Sequence, residues 1–253
     1  MSFLYYAKRI LTPRKCVSCR GILSLDSFDD AFCPTCMLHW RAAQTESCPE
    51  CFGAASECSC MPSQLSRAGA LTLRRLFFYN PKRDTEAQNR LVYYLKHHKS
   101  KRAADFVARE LCRAVNEELD TLGVNPREAL VVNVPRGRRA VNEYGFDQSA
   151  EVCRALAGRL GAEYCSAVSR RAGGREQKKL NAKERRNNIK KLMRVKKRDG
   201  ERVRGRYVVL FDDVVTTGAS MAVCTELLRR SGAKGVLCFS TASDLKKEIN
   251  PQR

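Results

Sequence analysis

Tyr207-Val-Val-Leu-Phe-Asp-Asp-Val-Val-Thr-Thr-Gly-Ala-Ser220 decides how this chain is read. Tyr207 to Phe211 is a continuous apolar, β-branched run, the kind a parallel strand covered on both faces requires. Asp212 and Asp213 stand where that strand should end. Thr216, Thr217, Gly218, Ala219 and Ser220 then supply hydroxyls, small side chains and a glycine. Met221 to Arg230 has helical spacing, and Gly232 marks its stop. A small hydroxyl-rich loop that leads from a strand into a helix suits a phosphate. Its backbone N–H groups and the positive end of the helix dipole both favour an anion. Two carboxylates one turn away can accept hydrogen bonds from vicinal hydroxyls and hold a hydrated Mg2+ indirectly. A ribose with a 5-phosphate presents both kinds of group.

Four apolar residues, two acids, two apolar residues and T-T-G-A-S: this order resembles the phosphoribosyl pyrophosphate (PRPP) motif of type I phosphoribosyltransferases. An ordinary strand-to-helix turn with solvated acids is the competing reading. Packing alone does not explain adjacent acids after a buried strand with T-T-G-A-S directly behind them.

At 253 residues the chain can hold one α/β domain and a small additional module. An apolar fraction of 43% is enough for a globular core. There is no apolar run of about 18 residues, so no membrane span is expected. In Met1 to Ile10 the charges follow a short apolar stretch, which is not the pattern of a secretory signal; a cytoplasmic location is expected. The net charge of +20 is uneven: zero over residues 1–60, +6 over 61–169, +13 over 170–206 and +1 over 207–253. Such concentration points to a polyanion partner or a phosphate-rich substrate, against the plainer reading of a solubilising loop.

Eight of the 13 cysteines lie between Cys16 and Cys60, as Cys16-x2-Cys19, Cys33-x2-Cys36, Cys48-x2-Cys51 and Cys58-x-Cys60. Thiolate pairs at this spacing grip a metal from one knuckle, and two knuckles complete a tetrahedral site. The simplest grouping puts Cys16, Cys19, Cys33 and Cys36 on one structural Zn2+ and Cys48, Cys51, Cys58 and Cys60 on another. An interleaved pairing is also possible, and the spacing does not decide it. A disulfide module would need an oxidising compartment, which nothing else in the chain indicates. Segment 1–60 has few large apolar residues, so metal is expected to do much of its folding. Eight cysteines already suffice as ligands, so His39 is left out. Cys112, Cys153, Cys165, Cys224 and Cys238 sit singly in apolar segments and read as core residues.

Between these ends, Met61 to Ala70 reads as a linker and Leu71 to Tyr79 as an edge strand or bridge. Ala87 to Lys96 and Ala103 to Leu119 read as helices, with His97 and His98 in a basic loop between them. Leu130 to Val134 is a short buried strand closed by Pro135, followed by Arg136-Gly-Arg-Arg139. Tyr144-Gly-Phe-Asp-Gln148 comes next, then a helix from Ser149 to Leu160. Leu237 to Ala242 is a last strand.

Strand-Val-Pro, a basic run, Gly-Phe-Asp-Gln and a helix resemble the ComF family of phosphoribosyltransferase-like proteins. Tyr144 stands where that family has Arg and Asp147 where it has Asn; both changes lower the positive charge near the expected pyrophosphate loop. Arg170-Arg171, Gln177, Leu180 and Arg185-Arg-Asn-Asn188 continue the resemblance, as does the cysteine-rich front end. It covers Cys16 to about Ala242.

The expected fold is α/β: a type I phosphoribosyltransferase-like parallel sheet flanked by helices, behind a small zinc-ribbon module. The expected divisions are a double zinc ribbon at 1–62, the main domain at 63–245 with its basic segment at 170–206, and a polar tail at 246–253. The resemblance implies that Thr216, Thr217, Gly218, Ala219 and Ser220 cradle the 5-phosphate of PRPP. It implies that Asp212 and Asp213 take the ribose hydroxyls, and that Mg2+ comes with the substrate. Arg136, Arg138 and Arg139 are the candidates for pyrophosphate. The reaction would transfer phosphoribosyl to a nitrogen acceptor. Some members of the fold place an acid just before Thr-Gly; here that position is Thr216. The other implied role is non-catalytic: handling single-stranded DNA in bacterial competence, alongside competence machinery proteins. Arg170 to Arg206 would then meet the strand by backbone attraction, since it contains no aromatic residue. A third reading is a degraded transferase kept for protein contacts.

Overall fold

The β-branched runs pair as expected. The computed structural model describes residues 11–171 and 189–244. Strands β1 (Thr72–Tyr79), β2 (Leu130–Asn133), β3 (Glu163–Tyr164), β6 (Tyr207–Val215) and β7 (Gly235–Asp244) form one sheet in the order β1-β7-β6-β2-β3. Every neighbouring pair in it is parallel. A separate antiparallel ribbon joins β4 (Val168–Arg170) to β5 (Met193–Val195). β4 ends where the basic segment 170–206 begins, and β5 lies within that segment. Residues 172–188 of that segment, including Gln177, Leu180 and Arg185 to Asn188, lie outside the described residues, as do 1–10 and the tail.

Alternate side chains of the central strands enter two apolar clusters, one on each face. Val131, Val209, Phe211, Leu237 and Phe239 join one of them. Leu130, Val132, Val208, Leu210, Val236 and Cys238 join the other. The helices are α1 (Pro34–Gln44), α2 (Ser63–Arg67), α3 (Ala87–His97), α4 (Lys101–Thr121), α5 (Arg138–Tyr144), α6 (Gln148–Leu160), α7 (Gly200–Val203) and α8 (Ala219–Arg230). Leu91 of α3, Leu111 and Val115 of α4 and Leu156 of α6 cover the first face. Leu65 of α2 and Met221, Cys224 and Leu228 of α8 cover the second. Ser100 caps α4 by accepting the Ala103 N–H at 3.2 Å. Among the described residues no helix is long and apolar enough to cross a membrane.

The cysteine-rich segment repeats one turn, at Cys16 and again at Cys48. Cys16 and Cys48 each donate a backbone N–H across a tight turn, to Gly21 O and Gly53 O, both at 2.8 Å. Arg20 and Phe52 take the left-handed conformation in those turns, at φ 66° and 60°. Metal does not fold this segment alone, because Trp40 of α1 is fully buried against the main sheet and helices. Its ring lies 5.5 Å from Phe77 of β1 and 5.3 Å from Phe106 of α4. Its Nε1 donates to Glu110 Oε2 at 3.0 Å.

Several boundaries differ from the sequence reading. The linker contains a helix, α2, because Leu65 is buried under α8. β6 runs through the acids to Val215, since β7 continues beside it: Asp212 pairs with Ser240 and Val215 with Ser243. His97 ends α3 rather than lying in a loop, and α8 starts at Ala219 rather than Met221.

Candidate functional site

The strand order reverses between β2 and β6, because β2 leads outward to β3 while β6 leads to β7. Open α/β sheets take ligands at the carboxyl ends of strands beside such a reversal. Asp212, Asp213 and the loop after β6 are placed there, with Pro135 and Arg136 after β2.

Three residues, Thr216 to Gly218, join β6 to α8. Gly218 has φ 73°, a conformation a side chain would strain. A Cβ there would also lie 3.3 Å from the ring of Pro62, so the loop is pressed against the chain leaving the cysteine knuckles. Gln64 Nε2 donates to Thr217 O. The Ala219 N–H donates to Thr217 Oγ1 at 3.4 Å. Asp212, Thr216, Thr217, Ser220 and the first turn of α8 line a cavity of about 100 Å3. Loop, helix N-terminus and acid therefore share one small space, as the sequence order implied.

Asp213 Oδ2 accepts from Gln148 Nε2 at 2.8 Å and lies 3.8 Å from Lys96 Nζ. Asp212 Oδ1 accepts the Asp213 N–H at 2.9 Å. Burial of its carboxyl, with the charge of Asp213 beside it, raises the Asp212 pKa well above the carboxylate range. A hydroxyl donor or a hydrated cation would relieve that penalty.

Asp147 explains itself on the other side of the crevice. One oxygen caps α6 by accepting the Ser149 and Ala150 N–H groups at 3.0 and 3.2 Å. The other accepts Asn133 Nδ2 at 3.2 Å and the Arg136 N–H at 3.0 Å. A carboxylate holds helix and loop together with two acceptor atoms. Its pKa is nonetheless raised, chiefly by burial, against those backbone hydrogen bonds. Asp147→Ala is expected to lower stability by about 1–2 kcal/mol, and the melting temperature by roughly 2–4 °C for each of these, measured by thermal unfolding. Arg136 is half-buried and donates from Nη1 to Lys96 O at 3.3 Å. The side chains of Arg138 and Arg139 lie outside the described residues.

The cysteines form the sequential quartets rather than the interleaved ones. The sulfurs of Cys16, Cys19, Cys33 and Cys36 lie within 4.8 Å of one another, as do those of Cys48, Cys51, Cys58 and Cys60. Cys19 and Cys33 are 3.7 Å apart at Sγ. Two thiolates about 2.3 Å from a shared tetrahedral ion are about 3.8 Å apart, whereas a disulfide brings them to about 2.05 Å. Both quartets can therefore hold a metal ion. Burial opposes ionisation of Cys16, but backbone N–H groups of Cys33, Cys19 and Ser18 outweigh it and lower the thiol to about 7. Burial raises Cys36 to about 12, a penalty that a cation would lift. Behind the second quartet, the buried Arg75 donates to Cys58 Sγ at 3.3 Å and to Cys60 O. His39 is exposed and outside both quartets. Four of the five isolated cysteines are buried and Cys112 is half-buried.

Gln148 lies in the Gly-Phe-Asp-Gln motif, but Gln64, Lys96 and Arg75 carry no local signal of a site. They reach it only through the fold, Gln64 across 153 residues of sequence.

A phosphoribosyl transferase domain model matches residues 143–252. The DNA utilization protein YhgH of Escherichia coli O157:H7 is 30% identical over 233 residues, 90% of this chain and 96% of that protein. Its counterpart in Salmonella typhi is 34% identical over 147 residues, 58% of this chain and 63% of that protein. Among solved structures, the phosphoribosylpyrophosphate synthetase of Mycobacterium smegmatis aligns with a TM-score of 0.35 at 20% identity, over 57% of this chain and 35% of that one. That likeness runs along nine-tenths of the chain, well beyond the stretch the domain model matches. By that whole-length relationship, the chain belongs to the ComF family of phosphoribosyltransferase-like proteins.

Proposed function

We propose that the chain binds PRPP at the carboxyl edge of its sheet. What carries this reading is the left-handed loop at Gly218 and its small cavity, set directly against Asp212. The 5-phosphate would sit on the Thr216 to Ser220 backbone at the N-terminus of α8. Asp212 and Asp213 would accept from the ribose 2- and 3-hydroxyls. Mg2+ would be held mainly by PRPP oxygens, with the acids acting through its water. Arg136, Arg138 and Arg139 would meet the pyrophosphate.

With an acceptor present, a nitrogen forms a bond to C1 while the C1–O bond to pyrophosphate breaks, through an oxocarbenium-like state. The electron pair leaves with pyrophosphate, where cationic groups favour it. Thr216 offers no carboxylate base, so the reading suits an amine whose proton passes to water. Zn2+ is the ion we assign to both quartets, since four thiolates form a closed tetrahedral site that supplies folding rather than chemistry.

A second reading is supported by the +13 over residues 170–206 and by the relatives' name, DNA utilization protein. In it the chain works in the cytoplasm with competence proteins and meets single-stranded DNA. Calorimetry with PRPP and Mg2+ tests the first reading. Saturable binding that is lost in the Asp212→Asn/Asp213→Asn variant is the expected result. No heat from folded, metal-loaded wild type would end that reading and leave the second.

A further inference from the structure

Beside the site, four side chains stack in a row that no core contains. Tyr93 and His97 lie one turn apart on α3, with ring centroids 4.1 Å apart at 34°. His97 meets Tyr144, the last residue of α5, edge-on at 4.8 Å and 89°. The Arg136 guanidinium lies over the Tyr144 ring at 4.8 Å. His97, Tyr144 and Arg136 are half-buried, and Tyr93 keeps 64% of its surface exposed with His97 against it. An aromatic ring left this open forgoes the burial that usually accounts for its presence.

The surroundings are cationic. Lys96 to Arg102 contains four Lys or Arg and no acid. Lys96 is paired to Asp213 at 3.8 Å, and Lys99 lies 4.0 Å from Glu151. Lys101 is exposed. Glu143, next to Tyr144, is the other nearby acid. Burial, and then Arg136, His98 and Lys96, keep His97 below its usual range.

The exposed Tyr93 ring, edged by cations, fits a ligand that is both planar and anionic. An aliphatic peptide would use neither feature, and duplex bases are already stacked on one another. We infer that Tyr93, backed by His97 and Tyr144, forms a stacking site for a base of single-stranded nucleic acid, with Lys99 and Lys101 near its phosphates. This deepens the second reading above. It supplies the aromatic surface that residues 170–206 lack.

The test is fluorescence anisotropy with labelled oligo-dT and an abasic strand of equal length. Wild type is expected to prefer oligo-dT. Tyr93→Ala should weaken oligo-dT binding roughly tenfold, leave abasic binding and the salt slope unchanged, and Tyr93→Phe should restore affinity. Equal binding of oligo-dT by Tyr93→Ala and wild type would overturn the stacking site while leaving DNA binding intact. No binding of either strand by wild type would overturn the second reading as well. Binding of free dTMP as tight as that of the strand would overturn the strand as ligand. PRPP calorimetry on Tyr93→Ala should match wild type, which keeps this outcome apart from that of the PRPP site.

Discussion

Asp212→Asn should raise the melting temperature of the free protein and, on the PRPP reading proposed above, remove most of its affinity for PRPP with Mg2+. Both effects follow from one carboxyl. Folding raises the Asp212 pKa, by burial and then by the charge of Asp213. A carboxyl raised in this way contributes most to stability below the ordinary aspartate range, about 3.9. That contribution is lost as pH rises through its raised value, because the folded state then has to hold a buried charge. At neutral pH the wild type carries that penalty. Asparagine removes the charge and keeps an oxygen to accept the Asp213 N–H, now at 2.9 Å. The gain should be a few degrees at pH 7 and shrink to nothing near pH 4, read by thermal unfolding across that range. Hydrogen bonds to a charged acceptor contribute about 1.5–3 kcal/mol, so losing one from the ribose should weaken PRPP roughly 10- to 100-fold. A lower melting temperature at every pH would make the carboxylate structural. A higher one with unchanged affinity would place the ribose elsewhere.

What the sequence made legible was local. Thiol spacing within knuckles, the T-T-G-A-S loop and the β-branched runs each depend on residues a few positions apart, so their placement shows in the string. Even the end of β6 was harder, because it depends on β7 running beside it to Asp244 rather than on the acids themselves. Asp147 looked like a loss of positive charge near the pyrophosphate loop; the structure shows that it also caps α6 and ties Arg136 to it. The linker looked empty because Leu65 and Gln64 have their partners in α8 and its loop. Tyr93, His97 and Tyr144 come from two helices, and nothing in either segment alone marks a stack.

On the proposed assignment of an ion to each quartet, loss of the second ion should loosen the loop from Thr216 to Ser220, an effect the fold transmits over a few residues. Cys58 and Cys60 belong to the second quartet. Arg75, on β1 and only 4% exposed, binds Cys58 Sγ and Cys60 O and so fixes that knuckle to the sheet. Pro62 follows two residues later and packs against Gly218, and Gln64 holds Thr217 O. Knuckle and loop are thus two ends of one short, tethered stretch. Cys58→Ser/Cys60→Ser should retain one bound metal of two, by elemental analysis. Amide exchange over residues 216–220 should then rise, while the strands Val208 to Phe211 stay protected. Arg75→Met should weaken the second metal by about 10- to 100-fold, as loss of an outer-shell partner does, and give the same exchange pattern at limiting metal. Gln64→Ala should raise exchange in the loop with both metals in place, which separates the tether from the ion. If the ion leaves and the loop exchanges as before, the two ends are independent. The knuckles would then serve the buried face at Trp40 and not the site.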